Sequence, residues 1–274
     1  MDKETLRKLQ LMEFDLLKDF IRVCEKHNLR YYMLAGTLLG AVRHDGFIPW
    51  DDDIDVGMPR EDYEKFIRLS RKEFKKGYSL MMYQKGNSRY PWARLITKEM
   101  KLVINMANIP REEYVWIDVI PLDGFPGSKL KSTIHKIHLS FWWNLNNIVQ
   151  YDQLVDQKRK RSRKGKIAIK IASHFKWIGK FVDYRLCLHK LNKILMKYPF
   201  DSNTKYVIDY LAAFGFDEIF DRKYFKSAKK YKFEGEMING PVDADGVLTT
   251  IFGPNYMTPP PEAERNRHYA EIAK

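Results

Sequence analysis

The stretch from Tyr32 to Tyr63, YMLAGTLLGAVRHDGFIPWDDDIDVGMPREDY, gathers the residues best suited to chemistry. Asp53 and Asp55 stand in the alternating run Asp53-Ile54-Asp55-Val56. In a strand, residues i and i+2 share a face. Two carboxylates therefore meet side by side, with Ile54 and Val56 behind them in the core. Like charges at that range repel, and a cation between them relieves the repulsion. Hard oxygen ligands suit Mg²⁺ or Mn²⁺. Upstream, Gly36-Thr37 leads into a short helix whose first N–H groups can bind a phosphate. Together these parts point to metal-assisted phosphoryl or nucleotidyl transfer. Asp51 shares the parity of the pair but falls at the strand edge. Asp52 points the other way, placed to cap or to pair with Arg43 or His44.

A third carboxylate, Asp118, sits in the apolar run Trp116-Ile117-Asp118-Val119-Ile120. A lone carboxylate there is costly unless paired or metal-bound. It serves either as a third ligand on a neighbouring strand that also draws a proton from an acceptor hydroxyl, or as the partner of an arginine such as Arg94. Asp123 reads as a turn residue. Thr37 offers a hydroxyl and an N–H to a phosphate oxygen, and Arg43, next to His44, offers a planar fork of matching geometry.

These residues need elements to position them. Residues 3–27 carry Leu6, Leu9, Phe14, Leu17, Phe20, Ile21 and Cys24 near a 3.6 period, which predicts an amphipathic helix. A strand over 30–35, a short helix over 38–43, a strand over 54–58 and a helix over 60–74 follow. Further strands are expected at 78–83, 92–96, 102–105 and 114–120, the last ended by Pro121. Residues 129–199 read as helical and 203–274 as mixed and loop-rich.

The chain has 274 residues and a net charge of +13. Residues 129–180 alone carry +11, and the remainder is nearly balanced at +2. Ile167, Ile171, Phe175, Ile178 and Val182 form an apolar stripe among Lys166, Lys170, Lys176 and Lys180. That pattern suits either an anionic membrane surface or packing against the chain's own domain. Nucleic acid, invited by KRKRSRKGK at 158–166, ranks below both. MDKETLRKLQ has no apolar signal core. The apolar-leaning stretch free of Asp, Glu, Lys and Arg at residues 137–151 falls short of the ~20 residues that span a bilayer and holds three Asn. A cytoplasmic chain is expected, soluble or peripheral on the inner face of the cell membrane. Cys24 and Cys187 read as reduced packing residues.

The succession of helix, strand, Gly-Thr turn, Asp-x-Asp strand and later Asp resembles the nucleotidyltransferase superfamily. Whole motifs narrow the match. AGTLLGAVRHDGFIPWDDDIDVGMPREDYEKF, WIDVIPLDGFP and PVDADGVLTTIFGPNYMTPPPEAERNRH resemble the LicD family of phosphocholine transferases, which includes fukutin-type sugar-phosphate transferases. The likeness runs over residues 29–123 and 225–268, with Phe252 where the pattern expects Tyr. It implies an α/β fold with a small mixed sheet of nucleotidyltransferase type, plus a basic helical subdomain. The expected divisions are a catalytic core (1–128), a basic helical segment (129–200) and a C-terminal part completing the site (201–274).

The resemblance implies two Mg²⁺ or Mn²⁺ ions on Asp53, Asp55 and Asp118, and substrate contacts from Gly36, Thr37, Arg43, His44 and Arg94. It also implies a tail, with Arg265, Arg267 and His268, that closes on substrate. The implied reaction moves phosphocholine from CDP-choline to a sugar hydroxyl of a lipid-linked glycan or teichoic acid precursor, releasing CMP. Aromatic faces hold a quaternary ammonium. Trp50, Tyr90, Trp92, Trp116 and Tyr256 lie near the motifs, and Trp92 and Tyr256 are the named candidates. The alternatives are another CDP-alcohol donor, CDP-ribitol or CDP-glycerol, and a nucleic-acid-binding nucleotidyltransferase.

Overall fold

The computed structural model describes residues 2–273 except 70, 159–160, 212–214, 263–264 and 266–269. It opens with α1 (Lys3–Lys26), capped by the Asp2 carboxylate, which accepts from the Thr5 N–H at 2.8 Å. Its inner face buries Leu9, Leu16, Leu17, Phe20, Val23 and Cys24. The helix ends on Asn28 in the left-handed region (φ 52°), and the Leu29 N–H closes on the Cys24 carbonyl at 2.9 Å.

β1 (Tyr32–Met33), α2 (Ala35–His44), β2 (Asp55–Pro59) and α3 (Arg60–Phe66) follow. β3 (Tyr78–Met81), β4 (Ala93–Ile104) and β5 (Arg111–Phe125) complete the catalytic-looking region. The helical segment comprises α4 (Lys129–Val149), α5 (Tyr151–Leu154), α6 (Arg163–Phe175) and α7 (Tyr184–Leu195). The rest is β6 (Tyr206–Ile208), β7 (Ile219–Asp221), the hairpin β8 (Ala228–Phe233) and β9 (Glu236–Pro241), α8 (Ala244–Phe252) and β10 (Ala270–Ile272).

The main sheet runs β1-β2-β5-β4-β10, with β3 also on β4, β6 on β5 and β7 on β6. The β2–β5 pair is parallel and every other described pair is antiparallel. The α/β expectation with a mixed sheet holds. α1 packs across β4 and β5. A second apolar cluster joins Ile120 and Phe125 of β5 to Leu139, Leu191 and Leu195 of the helical segment, so that segment is seated on the sheet.

Several boundaries differ from expectation. The two strands expected at 92–96 and 102–105 are one strand, broken in register between Thr97 and Lys101. The helix expected over 60–74 stops at Phe66, and the chain turns so that Phe74 meets the Phe66 ring edge-on at 5.7 Å. β5 does not end at Pro121. On one side β4 has ended opposite Val119 and β6 starts only at Asp123, so the missing proline N–H costs no bond there. Asp123 is consequently a strand residue. It is buried and takes two bonds from Arg60, at 2.8 and 2.6 Å. Both cysteines are buried and unpaired, as expected of packing residues.

Candidate active site

The parallel register of β2 and β5 sets Asp55 directly beside Asp118, and the antiparallel register of β5 and β4 sets Arg94 on the other side of Asp118. Neighbouring strands lie about 4.8 Å apart, so Asp55, Asp118 and Arg94 form one row across the sheet. Asp53 enters just before β2, where the Ile54 carbonyl already accepts the Asp118 N–H at 2.9 Å. The alternation read from the sequence holds, since Ile54 and Val56 are fully buried behind the pair. Asp53, Asp55 and Asp118 all line one cleft of about 740 Å³.

Burial, then Asp53 and Asp118, push the Asp55 carboxyl well above its ordinary range. That strain is what a hard divalent cation would relieve, and the donors are the oxygens such an ion takes. Among the described residues no three His, Cys, Asp or Glu side chains stand together as a preassembled ion cage. Asp118 instead accepts from Trp92 Nε1 at 2.5 Å and Arg94 Nε at 2.7 Å on Oδ1, and from Trp116 Nε1 at 3.1 Å on Oδ2. The ion-pair reading of Asp118 is thus present. It does not displace the ligand reading, because a carboxylate offers about four lone-pair sites and one on Oδ2 stays available. The residues present fit the implied metal.

Arg94 is locked in place. It pairs with Glu113 as well as Asp118, and its guanidinium lies 3.5 Å from the Tyr90 ring centre and 4.2 Å from that of Trp116. Arg111 bonds Glu113 and the Tyr90 hydroxyl, each at 2.8 Å. Arg94 therefore positions Asp118 and is not among the cleft's lining residues. Trp92 is among them.

Thr37 is buried in the first turn of α2, where its hydroxyl accepts the Asp55 N–H at 2.9 Å. The expected start of this helix at residue 38 moves to Ala35, which takes a positive φ of 41°. Leu34, ahead of it, makes no side-chain cap, so the first N–H groups of α2 have no side-chain acceptor from that residue. A Cβ on Gly36 would come within 2.5 Å of Asp51 Oδ2, so Asp51 rests against this turn and a larger residue there would push its carboxylate aside.

Arg43, His44, Tyr256 and Arg265 come together elsewhere, around Trp50. Arg43 donates to the Tyr256 carbonyl at 2.8 Å and to His44 Nε2 at 3.0 Å, and Arg265 lies 4.0 Å from the Trp50 ring centre. The Tyr256 hydroxyl donates to Asp245 at 2.8 Å. None of these four lines the carboxylate cleft as described. Arg267 and His268 lie outside the described residues.

Sequence reasoning missed several neighbours. Glu13 of α1 is 1% exposed, and neither carboxyl oxygen has a hydrogen-bond partner. Burial, then Asp53, Asp52 and Asp51, drive it well above its ordinary range. Its signal was available: Glu13 falls in phase with Leu9 and Phe20 on the helix's apolar face. Arg111, Asn144, Asn146 and Asn147 also line the cleft, together with Ala168, Ile169 and Ala172 of α6. In the sequence alone the three Asn argue only against a membrane span.

Comparison with known proteins identifies the domain that carries these residues. Residues 28–153 match the LicD/FKTN/FKRP nucleotidyltransferase domain. These residues form a LicD-family domain. Over its whole length the chain is 27% identical to the lipopolysaccharide cholinephosphotransferase LicD of Haemophilus influenzae, covering 99% of that protein. It is 35% identical over 125 residues to an uncharacterised protein of Rickettsia typhi, covering 45% of this chain and 38% of that one. A 42-residue stretch is 48% identical to the mouse and human ribitol 5-phosphate transferase FKRP, covering 15% of this chain and 8% of theirs. Asp53, Asp55 and Asp118 all lie within the matched residues.

Proposed function

We propose that this chain, with its LicD-type domain, moves phosphocholine from CDP-choline to a sugar hydroxyl of a lipid-linked glycan or teichoic acid precursor at the cytoplasmic face of the membrane. The observation that carries the reading is the row of Asp55 and Asp118 across a parallel strand pair, joined by Asp53 in a cleft. Full-length likeness to a cholinephosphotransferase supports the donor.

Asp53 and Asp55 would hold Mg²⁺ or Mn²⁺, as one or two ions, with Asp118 beside them. Such ions supply charge neutralisation for the diphosphate and for the departing CMP. The remaining work falls to the chain. The first-turn N–H groups of α2 and the Thr37 hydroxyl bind phosphate oxygens. Arg94, Trp92 and Trp116 hold Asp118 in one orientation, and its unengaged Oδ2 lone pair accepts the acceptor hydroxyl's proton. The sugar oxygen forms a bond to the choline-bearing phosphorus. The bond from that phosphorus to the bridging oxygen breaks, and CMP leaves with that oxygen.

A second donor class, CDP-ribitol or CDP-glycerol, is favoured by one observation. The faces of Tyr90 and Trp116 are covered by Arg94, and that of Trp50 by Arg265, which leaves Trp92 and Trp143 as the indoles lining the cleft. A polyol needs hydrogen-bonding groups rather than a cage, and Asn144, Asn146 and Asn147 provide them. The test is titration calorimetry with Mg²⁺ and four ligands, CDP-choline, CDP-ribitol, CDP-glycerol and CMP, alongside an assay of CMP release. Tightest binding and fastest release with CDP-choline are expected. Tighter binding of a polyol nucleotide would replace the donor and leave the reaction class standing. No release from any of the three CDP-alcohols would remove the transferase reading.

A further inference from the structure

α6 has two working sides. Ala168, Ile169 and Ala172 line the carboxylate cleft. Ile167, Ile171 and Phe175 recur every fourth residue and are 54%, 52% and 41% exposed. Ile171 belongs to both sides, at the cleft's rim. The 3₁₀ turn that follows (Lys176–Lys180) extends the outward apolar surface with Trp177, and Phe181 lies just beyond it, 80% exposed. Their rings stand 6.2 Å apart, edge to face. The sequence stripe therefore does not pack on its own domain at Ile167, Ile171 or Phe175.

The charge around this face is of one sign. From Gln157 to Val182 there are ten Lys or Arg and no acid. On a helical projection of α6, Arg163, Lys166 and Lys170 border the stripe on one flank, and the cleft-lining Ala168 and Ala172 border it on the other. A nucleic acid would satisfy the lysines and stack on Trp177 or Phe181, but it would leave Ile167 and Ile171 in water, since aliphatic side chains give bases no stacking surface. A bilayer surface takes both components: the apolar face enters the headgroup–acyl boundary while the lysines reach lipid phosphates.

We propose that the outward face of α6 and the turn behind it dock the protein on an anionic lipid bilayer, so that the rim of the carboxylate cleft lies against the headgroups. Docking itself does not depend on the transferase reading. Delivery of a lipid-linked acceptor to the cleft does.

The test is co-sedimentation of the full chain, without substrates, with phosphatidylglycerol-rich vesicles or with vesicles of phosphatidylcholine alone. Binding to the anionic vesicles at low salt and release at high salt are expected. The variant Lys166→Gln/Lys170→Gln/Lys180→Gln should lose about fivefold per charge, or about a hundredfold in partition. Ile167→Ser/Phe175→Ser/Phe181→Ser changes only exposed side chains and should keep its circular dichroism spectrum while losing vesicle binding. Lipids brominated on their acyl chains should quench wild-type tryptophan fluorescence more than that of Trp177→Phe. Equal binding to neutral vesicles, an unaffected serine variant, or retention on tRNA with indifference to vesicle charge would each overturn the proposal. CMP release is measured separately, so loss of docking with intact soluble turnover leaves the proposed reaction in place.

Discussion

Replacing Arg94 by Gln tests whether the site is built on a buried charge row. The guanidinium is 6% exposed, bonds Asp118 and Glu113, and lies between the Tyr90 and Trp116 rings. Removing one partner of a buried pair leaves the other charge uncompensated and costs about 3–5 kcal/mol. The loss of two ring contacts adds to this, and Arg111, which still neutralises Glu113, subtracts from it. We expect about 4 kcal/mol, a large share of the ~5–15 kcal/mol that holds a typical protein folded.

Arg94→Lys keeps the charge but has no planar fork to serve Asp118 and Glu113 at once, and should cost about half as much. Urea unfolding with a common m-value reads both numbers. CMP release from the folded fraction reads a second effect. With Asp118 no longer oriented, turnover should fall in Arg94→Lys beyond what lost stability explains. A cost under about 1 kcal/mol for Arg94→Gln, with m unchanged, would refute the claim that this pair is buried and structurally required.

Three other outcomes are expected. Asp55→Asn should lower CMP release at least about a hundredfold, and EDTA should abolish it in the wild type. The same substitution should not lower metal-free stability, because it removes a carboxyl already strained by burial and by Asp53; full activity would sink the assignment. Arg60→Gln should cost about 3–5 kcal/mol in urea unfolding, since Asp123 is left buried without its bidentate partner. Burial, then Lys197 and His138, hold His135 down at about 4. Unfolding raises that value to its ordinary one, so stability is complete above about pH 6.5 and falls as pH drops toward 4. The loss should be about 2 kcal/mol between pH 7.5 and 5, absent in His135→Phe.

Period two made the carboxylate pair legible. Asp53 and Asp55 alternate with Ile54 and Val56, and no other element type buries that pattern as well. Asp118 was legible as a lone charge in an apolar run. Arg94 was legible as a candidate partner and is the one found, but what sets it opposite Asp118 is the β4–β5 register, and the register break between Thr97 and Lys101 leaves no local mark. Asp123 was misread because Pro121 signals a strand end, and only the arrangement of neighbouring strands shows that the signal is harmless. Arg265 over Trp50 joins residues too far apart for any periodicity to connect. Tyr256, proposed for choline from proximity in the motif, instead ties the tail to α2 through Arg43.

The charges around the row explain how one site can be both fixed and receptive. Asp53, Asp55, Asp118 and Glu113 bring four negative charges when ionised, and Arg94 and Arg111 bring two positive ones. Arg94 stands at the β4 end of the row, so the positive charge lies on one side of Asp118 while Asp53 and Asp55 lie on the other. The deficit of two charges is concentrated at the β2 end, inside the cleft. One divalent ion would balance it. A second ion would need negative charge from elsewhere, and the diphosphate of a nucleotide donor carries two. Two divalent ions and one diphosphate thus leave this charge set neutral, whereas two ions without the donor would not. On that reasoning the arginines do not compete with metal binding. They restrict the negative charge to the place where an ion and a phosphate would meet under the proposed reaction, beside the first turn of α2 that carries Thr37.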